Sequence, residues 1–459
     1  MRRKHVGLQE VVSCLFLYVF VSVAVVAETT SGYAIVVSKT TLADPAWKRV
    51  VNVLEHKHAH SQPTIISWED SPEESLSILA QHFPRHTCFV ARPEEVGRDF
   101  VALVHQVTRR LDADPYTDTL WGILTGFDAD NAEAIARTSV PLRIKQVTAG
   151  TELAMDRVVS GEWYSELEKN RMVRKEPGEL AKERLGPDDT TAALVGRLVE
   201  GRTDLFVTSG HATERNWQIG YRYRNGQFLS GDGKLWGKDL EGRKILIQSD
   251  NPKVWLPVGN CLAGHIDGLD AIALAFLNSA GVRQMAGYTV PTWFGYAGWG
   301  LLDYFVEQPG RFTLCEAFHA NGHALIHRLS TDATDEDRKG LLFDRDVVAF
   351  YGDPAWEARM APGKLEFDQS LVEKDGRFTL TITPRDGANS FLPVNLNGSQ
   401  RGGRPVVAFF PRRLPKTEII EGQHWQPVIT DTFVLVPLPP PGWAEPVVVS
   451  FQDRTGSAE

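Results

Sequence analysis

From Tyr33 to about Met360 the chain alternates short apolar runs with longer stretches of helical period. YAIVVS gives way to PAWKRVVNVLEH, and then come PTIISW, SPEESLSILAQHF and TCFVARP. Short apolar runs read as strands, and apolar positions three and four apart read as one buried face of a helix. Their alternation predicts parallel strands joined by crossover helices, an α/β layer fold. The pattern resumes with AALVGRLVEG as a helix and DLFVTSG, RKILIQS and VWLPVGN as strands. GLDAIALAFLNSAG follows as a helix, VRQMAGYT as a strand, and two further helices run through Leu329. Between the halves, EKNRMVRKEPGELAKERLGPDD is dominated by charge and reads as a solvated connection. The reading is an α/β subdomain over 33–165 and a second over 185–362.

The rhythm changes after Pro362. FTLTITP, RPVVAFFP, DTFVLVPLP and EPVVVSFQD are short alternating or apolar runs punctuated by Gly, Pro and Asn, and no helical period survives. This predicts an all-β sandwich over 366–455, Ig-like in size and spacing and without catalytic groups.

Composition then narrows the function. At 459 residues the chain has room for two or three domains. Its net charge of −9 supplies no basic footprint for nucleic acid or an anionic membrane surface. The N-terminus pairs the basic MRRKHVGLQE with the uncharged VVSCLFLYVFVSVAVVA, the layout of a secretory leader over 1–27. An uncleaved anchor is the rival, and the small residues at Val25 and Ala27 favour cleavage and export. Losing the leader removes Cys14 and leaves Cys88, Cys261 and Cys315. Three cysteines allow one internal disulfide at most and leave at least one thiol over.

One of these thiols stands where chemistry is expected. DLFVTSG runs into His211, and VWLPVGN runs into Cys261. In parallel α/β sheets catalytic groups gather at the carboxyl ends of strands, where the chain turns and exposes side chains. A thiol beside an imidazole is a nucleophile for acyl transfer; the alternative is a core cysteine and an unrelated loop histidine. Cys88 in TCFVARP and Cys315 on a helix read as core residues. His319, His323 and His327 recur every four residues and share one helical face, but no Glu follows the first as in a zincin helix. HKHAH at 56–60 reads as an exposed helix end.

SGHATERNW followed by GNCLAGHIDG resembles the gingipain-type cysteine peptidases, relatives of caspases and legumains. In that family a strand ends in Gly-His-Gly, with Glu and Trp shortly after, and a later strand ends in a small residue and Cys. Gly210, His211, Glu214, Trp217, Cys261 and Gly264 fill those positions; Ala212 replaces the second Gly, and Asn260 the small residue. YTDTLWGILTGFDADNAEAIAR (116–137) is similar to the family's Ser-Asp-x-x-Tyr-Gly stretch, with Ala136 where the Gly of its Gly-Arg pair is expected. VVAFYGDPAWEAR (347–359) is similar to its closing Gly-Asp-Pro segment.

The resemblance implies a caspase-like, mostly parallel sheet flanked by helices, in two subdomains, and an exported cysteine endopeptidase acting on protein or peptide substrates. Cys261 is the expected nucleophile, with His211 as its acid-base partner. Glu133 is the expected orienting carboxylate, and Asp118 and Asp128 lie nearby in sequence. The amides around Ala212 and Cys261 are the expected oxyanion donors; Trp293, Glu214 and Trp217 are expected to meet substrate. The chemistry requires no cofactor, and the resemblance leaves room for structural calcium. Two rivals remain: a non-catalytic secreted binding protein, which Ala212 favours, and a metal-dependent hydrolase built on the histidine stripe.

Overall fold

The protein is described here by a computed structural model that covers residues 32–331 and 333–454. The leader expected over 1–27 lies outside the described residues. Strand β1 (Tyr33–Ser38) is buried along its whole length, as a strand covered on both faces must be. It pairs in parallel with β2 (Thr64–Trp68) and β3 (His86–Val90), and β3 pairs in parallel with β4 (Leu120–Leu124). The remaining strands of this sheet are β5 (Gln146–Ala149), β6 (Ser160–Tyr164), β7 (Arg171–Lys175), β8 (Lys182–Leu185), β9 (Leu205–Thr208), β10 (Lys253–Pro257), β11 (Val282–Tyr288) and β12 (Val348–Tyr351). All twelve form one sheet in the order β2-β1-β3-β4-β12-β11-β10-β9-β5-β6-β7-β8.

The sheet has two opposed halves. Strand β12 runs parallel to β4 and antiparallel to β11, while β11, β10, β9, β5 and β6 run parallel to one another. The carboxyl ends of the second set therefore lie at the edge opposite to that of β4. Helices α1 (Pro45–Lys57), α2 (Ala129–Ala136), α3 (Ile272–Ser279), α4 (Tyr296–Phe305) and α5 (Leu314–Ser330) are among those flanking the sheet. Capping sets their starts: Asp44 accepts from Ala46 N–H with Pro45 at the first helical position, and Thr313 and Glu316 form a reciprocal capping box.

Two expectations about this part change. The charged stretch expected as a connection holds β7 and β8, which pair antiparallel at the outer edge beside β6. Charge is compatible with an edge strand, because one side faces water and an ionised rim discourages pairing with other chains. Strands β5 and β6, expected in the first subdomain, lie in the second half of the sheet, where β5 pairs with β9 and β6 with β5.

The tail forms two antiparallel sheets. One orders β13 (Phe367–Lys374), β14 (Arg377–Pro384), β19 (Val447–Asp453) and β16 (Thr417–Glu421); the other orders β15 (Val406–Phe409), β18 (Phe433–Val436) and β17 (Val428–Ile429). Phe378, Leu380, Val406, Val434, Val449 and Phe451 share a core drawn from both sheets, the period-two arrangement of a sandwich. The opposite face of the smaller sheet turns elsewhere: Val407, Phe433 and Leu435 are buried in the core of the α/β part. Each such side chain contributes about 1.5–3 kcal/mol when fully buried, so the tail is fastened to the larger body.

Candidate active site

Strands β9 and β10 are adjacent and in register, with Thr208 opposite Pro257. Neighbouring strands lie about 4.8 Å apart, so the loops carrying His211 and Cys261 leave the same sheet edge side by side. Asn260 ties them together. It is fully buried, its Oδ1 accepts from Thr208 Oγ1 at 2.6 Å, and its Nδ2 donates to Gly210 O at 2.9 Å. A small residue here, as the family pattern has it, could not make this clamp. Further stitches follow: Glu214 Oε1 lies 3.3 Å from His265 Nδ1, Arg215 pairs with Asp267 at 2.8 Å, and Ile272 N–H donates to Glu214 O at 2.6 Å.

Backbone conformation presents both side chains. Gly210 has φ 87°, the left-handed region that glycine enters without steric cost. Cys261 is half-buried and is followed by Leu262 at φ 58°, an uncommon conformation for a branched residue. Leu262 N–H donates to Val290 O, and Gly264 lies so close to β11 that a Cβ on it would stand 2.2 Å from Gly287 O. The turn is thereby pressed against the segment after β11, from which Thr292 N–H donates to Cys261 Sγ at 3.2 Å.

His211 is exposed, and its ring lies 4.8 Å from that of Tyr221 at an interplanar angle of 36°. Ala212 bridges to Trp217 with the hydrogen bonds carried by their neighbours, Thr213 N–H to Asn216 O and Gln218 N–H to His211 O. The Ala212 N–H is left out of that bridge.

Other candidates land elsewhere. Glu133 is on α2, after the carboxyl end of β4, four strands from β9 and at the other edge of the sheet. Its carboxylate pairs with Arg49 and Arg137, so it does not orient His211. Asp128 caps α2 through Asn131 N–H, and Asp118 is buried at the start of β4 beside Leu111 N–H. Trp217 is fully buried with Nε1 donating to Ser209 O at 2.7 Å, so it supports the histidine loop from below and cannot meet substrate. Trp293 is 61% exposed, edge-on to Phe343, and directly follows the residue that donates to Cys261.

A carboxylate that the sequence reading passed over stands nearer the histidine. Glu166 follows β6 at the same sheet edge and is buried. Its Oε1 accepts from Thr151 Oγ1 at 2.7 Å, Ser209 Oγ at 3.3 Å and Asn397 Nδ2 at 3.4 Å. Burial pushes its carboxyl above the usual range, against these donors. Its backbone O accepts from Tyr221 N–H, so it also holds the ring that lies on His211. The strand-end rule that singled out His211 and Cys261 applies equally to Glu166.

The histidine stripe is structural. His319 and His323 are buried, His319 bonds to the Trp121 backbone, and His323 stacks on Phe433 at 4.0 Å. Burial pushes His319 down to about 3, leaving it neutral. Among the described residues, the group of three or more side chains able to converge on a metal is Asp112, Asp114 and Asp118, whose oxygens lie within 4.8 Å of one another. That is an all-oxygen set, of the kind Ca²⁺ takes rather than Zn²⁺. Cys88, Cys261 and Cys315 are all free thiols.

No family model matches the sequence, and no curated protein matches it. Among solved structures the chain is similar to one titled "Complex of Porphyromonas gingivalis RgpB pro- and mature domains", with a TM-score of 0.46 and 10% identity, over 76% of this chain and 86% of that one.

Proposed function

We propose that the chain is an exported cysteine endopeptidase of the gingipain type, with a Cys-His dyad of Cys261 and His211. The observation that carries this reading is the pair of register-matched loops, cross-linked through Asn260, with Thr292 N–H directed at Sγ. Cys261 thiolate attacks the peptide carbonyl, and the carbonyl π electrons move to oxygen. Amides around Ala212 and Cys261 hold that oxyanion. Collapse expels the amine, which takes a proton from His211, and leaves an acyl-thioester on Cys261. Water, giving a proton back to His211, then hydrolyses the thioester and releases the thiolate. No cofactor enters these steps. Structural calcium, for which the resemblance leaves room, has a donor set of fitting chemistry at Asp112, Asp114 and Asp118.

Substrate meets Trp293 and the loop around it, with Glu214 at the rim. That loop offers exposed aromatic surface next to Cys261, which suits an apolar or aromatic side chain before the cleaved bond. A second reading, a binding protein without turnover, is favoured by one residue: Ala212 puts a Cβ where the family pattern has none. The two separate in one experiment with unfolded casein. The peptidase reading expects cleavage by the wild type and none by Cys261→Ala or His211→Ala. The binding reading expects all three to bind casein and none to cut it.

A further inference from the structure

We infer that the C-terminal sandwich completes the catalytic site: its loop 390–405 braces the His211 loop on one side and the Cys261 loop on the other, with Asn397 as a positioning residue. The inference rests on the dyad reading above.

The loop reads SFLPVNLNGSQRGGRP, too rich in Gly, Pro and Asn for a strand and too long for a tight turn. It leaves the sandwich and is pinned to α4. Arg401 Nε donates to Asp303 Oδ1 at 2.6 Å, and its Nη2 donates to Glu307. Arg404 Nε donates to Asp303 Oδ2 at 3.0 Å and lies 3.5 Å over the Tyr296 ring. Arg401 and Arg404 are almost wholly buried, and both carboxylates with them. A guanidinium taken out of water is held only by such complete pairing, so the loop has one seated position.

From that seat it reaches two places. Asn397 Nδ2 donates to Thr151 Oγ1 at 2.9 Å, Glu152 O at 3.3 Å and Glu166 Oε1 at 3.4 Å. The Glu166 oxygen is the one that also accepts from Ser209, two residues before His211. Arg401 Nη1 holds the Asn397 carbonyl at 2.8 Å, so the amide is fixed from behind. Gly398, at φ 102°, lies flat on the Trp299 ring, where a Cβ would stand 2.3 Å away. The same indole covers Gly259, two residues before Cys261, with a Cβ there 2.7 Å off. One tail loop thus sets the approach of both reactive residues. A sandwich present only for stability has no need to reach the ends of β5, β6, β9 and β10.

The test uses the full chain and a peptidyl chloromethyl ketone with Phe at the reactive end, which alkylates an activated cysteine thiolate. The maximal inactivation rate and the half-saturating concentration are measured separately, and near-UV circular dichroism monitors folding. Asn397→Ala should lower the maximal rate by roughly 10- to 100-fold, the effect of a misplacement of about 1 Å. The half-saturating concentration should stay within about threefold, because Asn397 does not touch substrate. If Asn397→Ala fails to fold, the isosteric Asn397→Asp takes its place; it removes the donor, sets a carboxylate against Glu166 and should lose at least as much. A folded variant with wild-type rate overturns the inference while leaving the dyad standing. A wild type whose alkylation does not depend on His211 removes the dyad, and the inference with it.

Discussion

Cys261 and Cys88 both belong to apolar runs of the same large sheet, and their surroundings could hardly differ more. Cys88 lies inside β3, fully buried, where burial and the nearby Asp353 push its thiol up. Cys315, on α5, is as deeply buried and is shifted the same way, its Sγ directed at Trp121 O at 3.8 Å. Cys261 stands past the end of β10, half-open, with an amide at its sulfur. The histidines divide likewise: His319 and His323 are neutral core groups, and His211 lies open on a loop. The side chain is the same in each case; its place relative to the end of a strand decides whether it can react. Inside an element the backbone hydrogen bonds are closed and the neighbours apolar, and just beyond it free amides become available to a charge.

The comparison is broken most forcefully by substitution. Cys261→Ala should abolish peptide cleavage, and His211→Ala should lower kcat by about 10²- to 10⁴-fold. Cys88→Ala and Cys315→Ala should leave kcat intact and cost roughly 1–2 kcal/mol in urea unfolding, the price of a small core cavity. Loss of turnover in a folded Cys88→Ala would move the chemistry to the buried region.

Next comes the seam between tail and α/β part. Phe433 is fully buried and stacks on His323. Phe433→Ala should destabilise the whole protein by about 3–5 kcal/mol in a single unfolding transition. Two separated transitions would show that the tail folds as an independent body.

Protonation sharpens the contrast between buried and open groups. Burial, with Asp112 and Asp114 close by, pushes the Asp118 carboxyl up to about 9. Raised above its unfolded value of about 3.9, it keeps a proton in the folded chain that the unfolded chain has released. Its contribution to stability is therefore full below about pH 4 and is lost as pH climbs towards about 9. Measured in EDTA, so that no cation holds the Asp112, Asp114 and Asp118 oxygens, Asp118→Asn should flatten the urea midpoint against pH across that window. An unchanged slope would mean that Asp118 titrates as an ordinary carboxylate.

Much of this was legible in the residues, and its limits have physical causes. The alternation of apolar runs and helical period announced the sheet, and the strand-end rule located His211 and Cys261, because both signals are local. Glu133 was misassigned because a carboxylate on a helical repeat looks alike at either edge of a sheet, and only the antiparallel step between β11 and β12 reveals which edge it occupies. Trp217 was placed at substrate because a three-residue strand, Asn216–Gln218, does not declare its buried face. The Asn397–Glu166 contact joins positions 231 apart through a loop without periodicity, so no local pattern could announce it. The charged β7 and β8 were hidden for a related reason: edge strands need little apolar content.

The smallest effect concerns selection. In a peptide library, an apolar or aromatic residue before the cut should be preferred by roughly tenfold, about what one buried apolar contact gives. A strict demand for Arg or Lys would instead assign the buried Glu166, whose Oε2 lacks a partner among the described residues, to an incoming cation.

Site-resolved alkylation compares the three thiols within one folded chain. The native protein is treated with iodoacetamide at neutral pH, digested, and its three thiols compared by mass spectrometry, with His211→Ala alongside. Cys261 should be modified rapidly, at a rate lowered at least tenfold in His211→Ala, and Cys88 and Cys315 only after unfolding. Equal rates at Cys261 with and without His211, or modification of Cys88 or Cys315 ahead of it in the folded chain, would contradict the dyad.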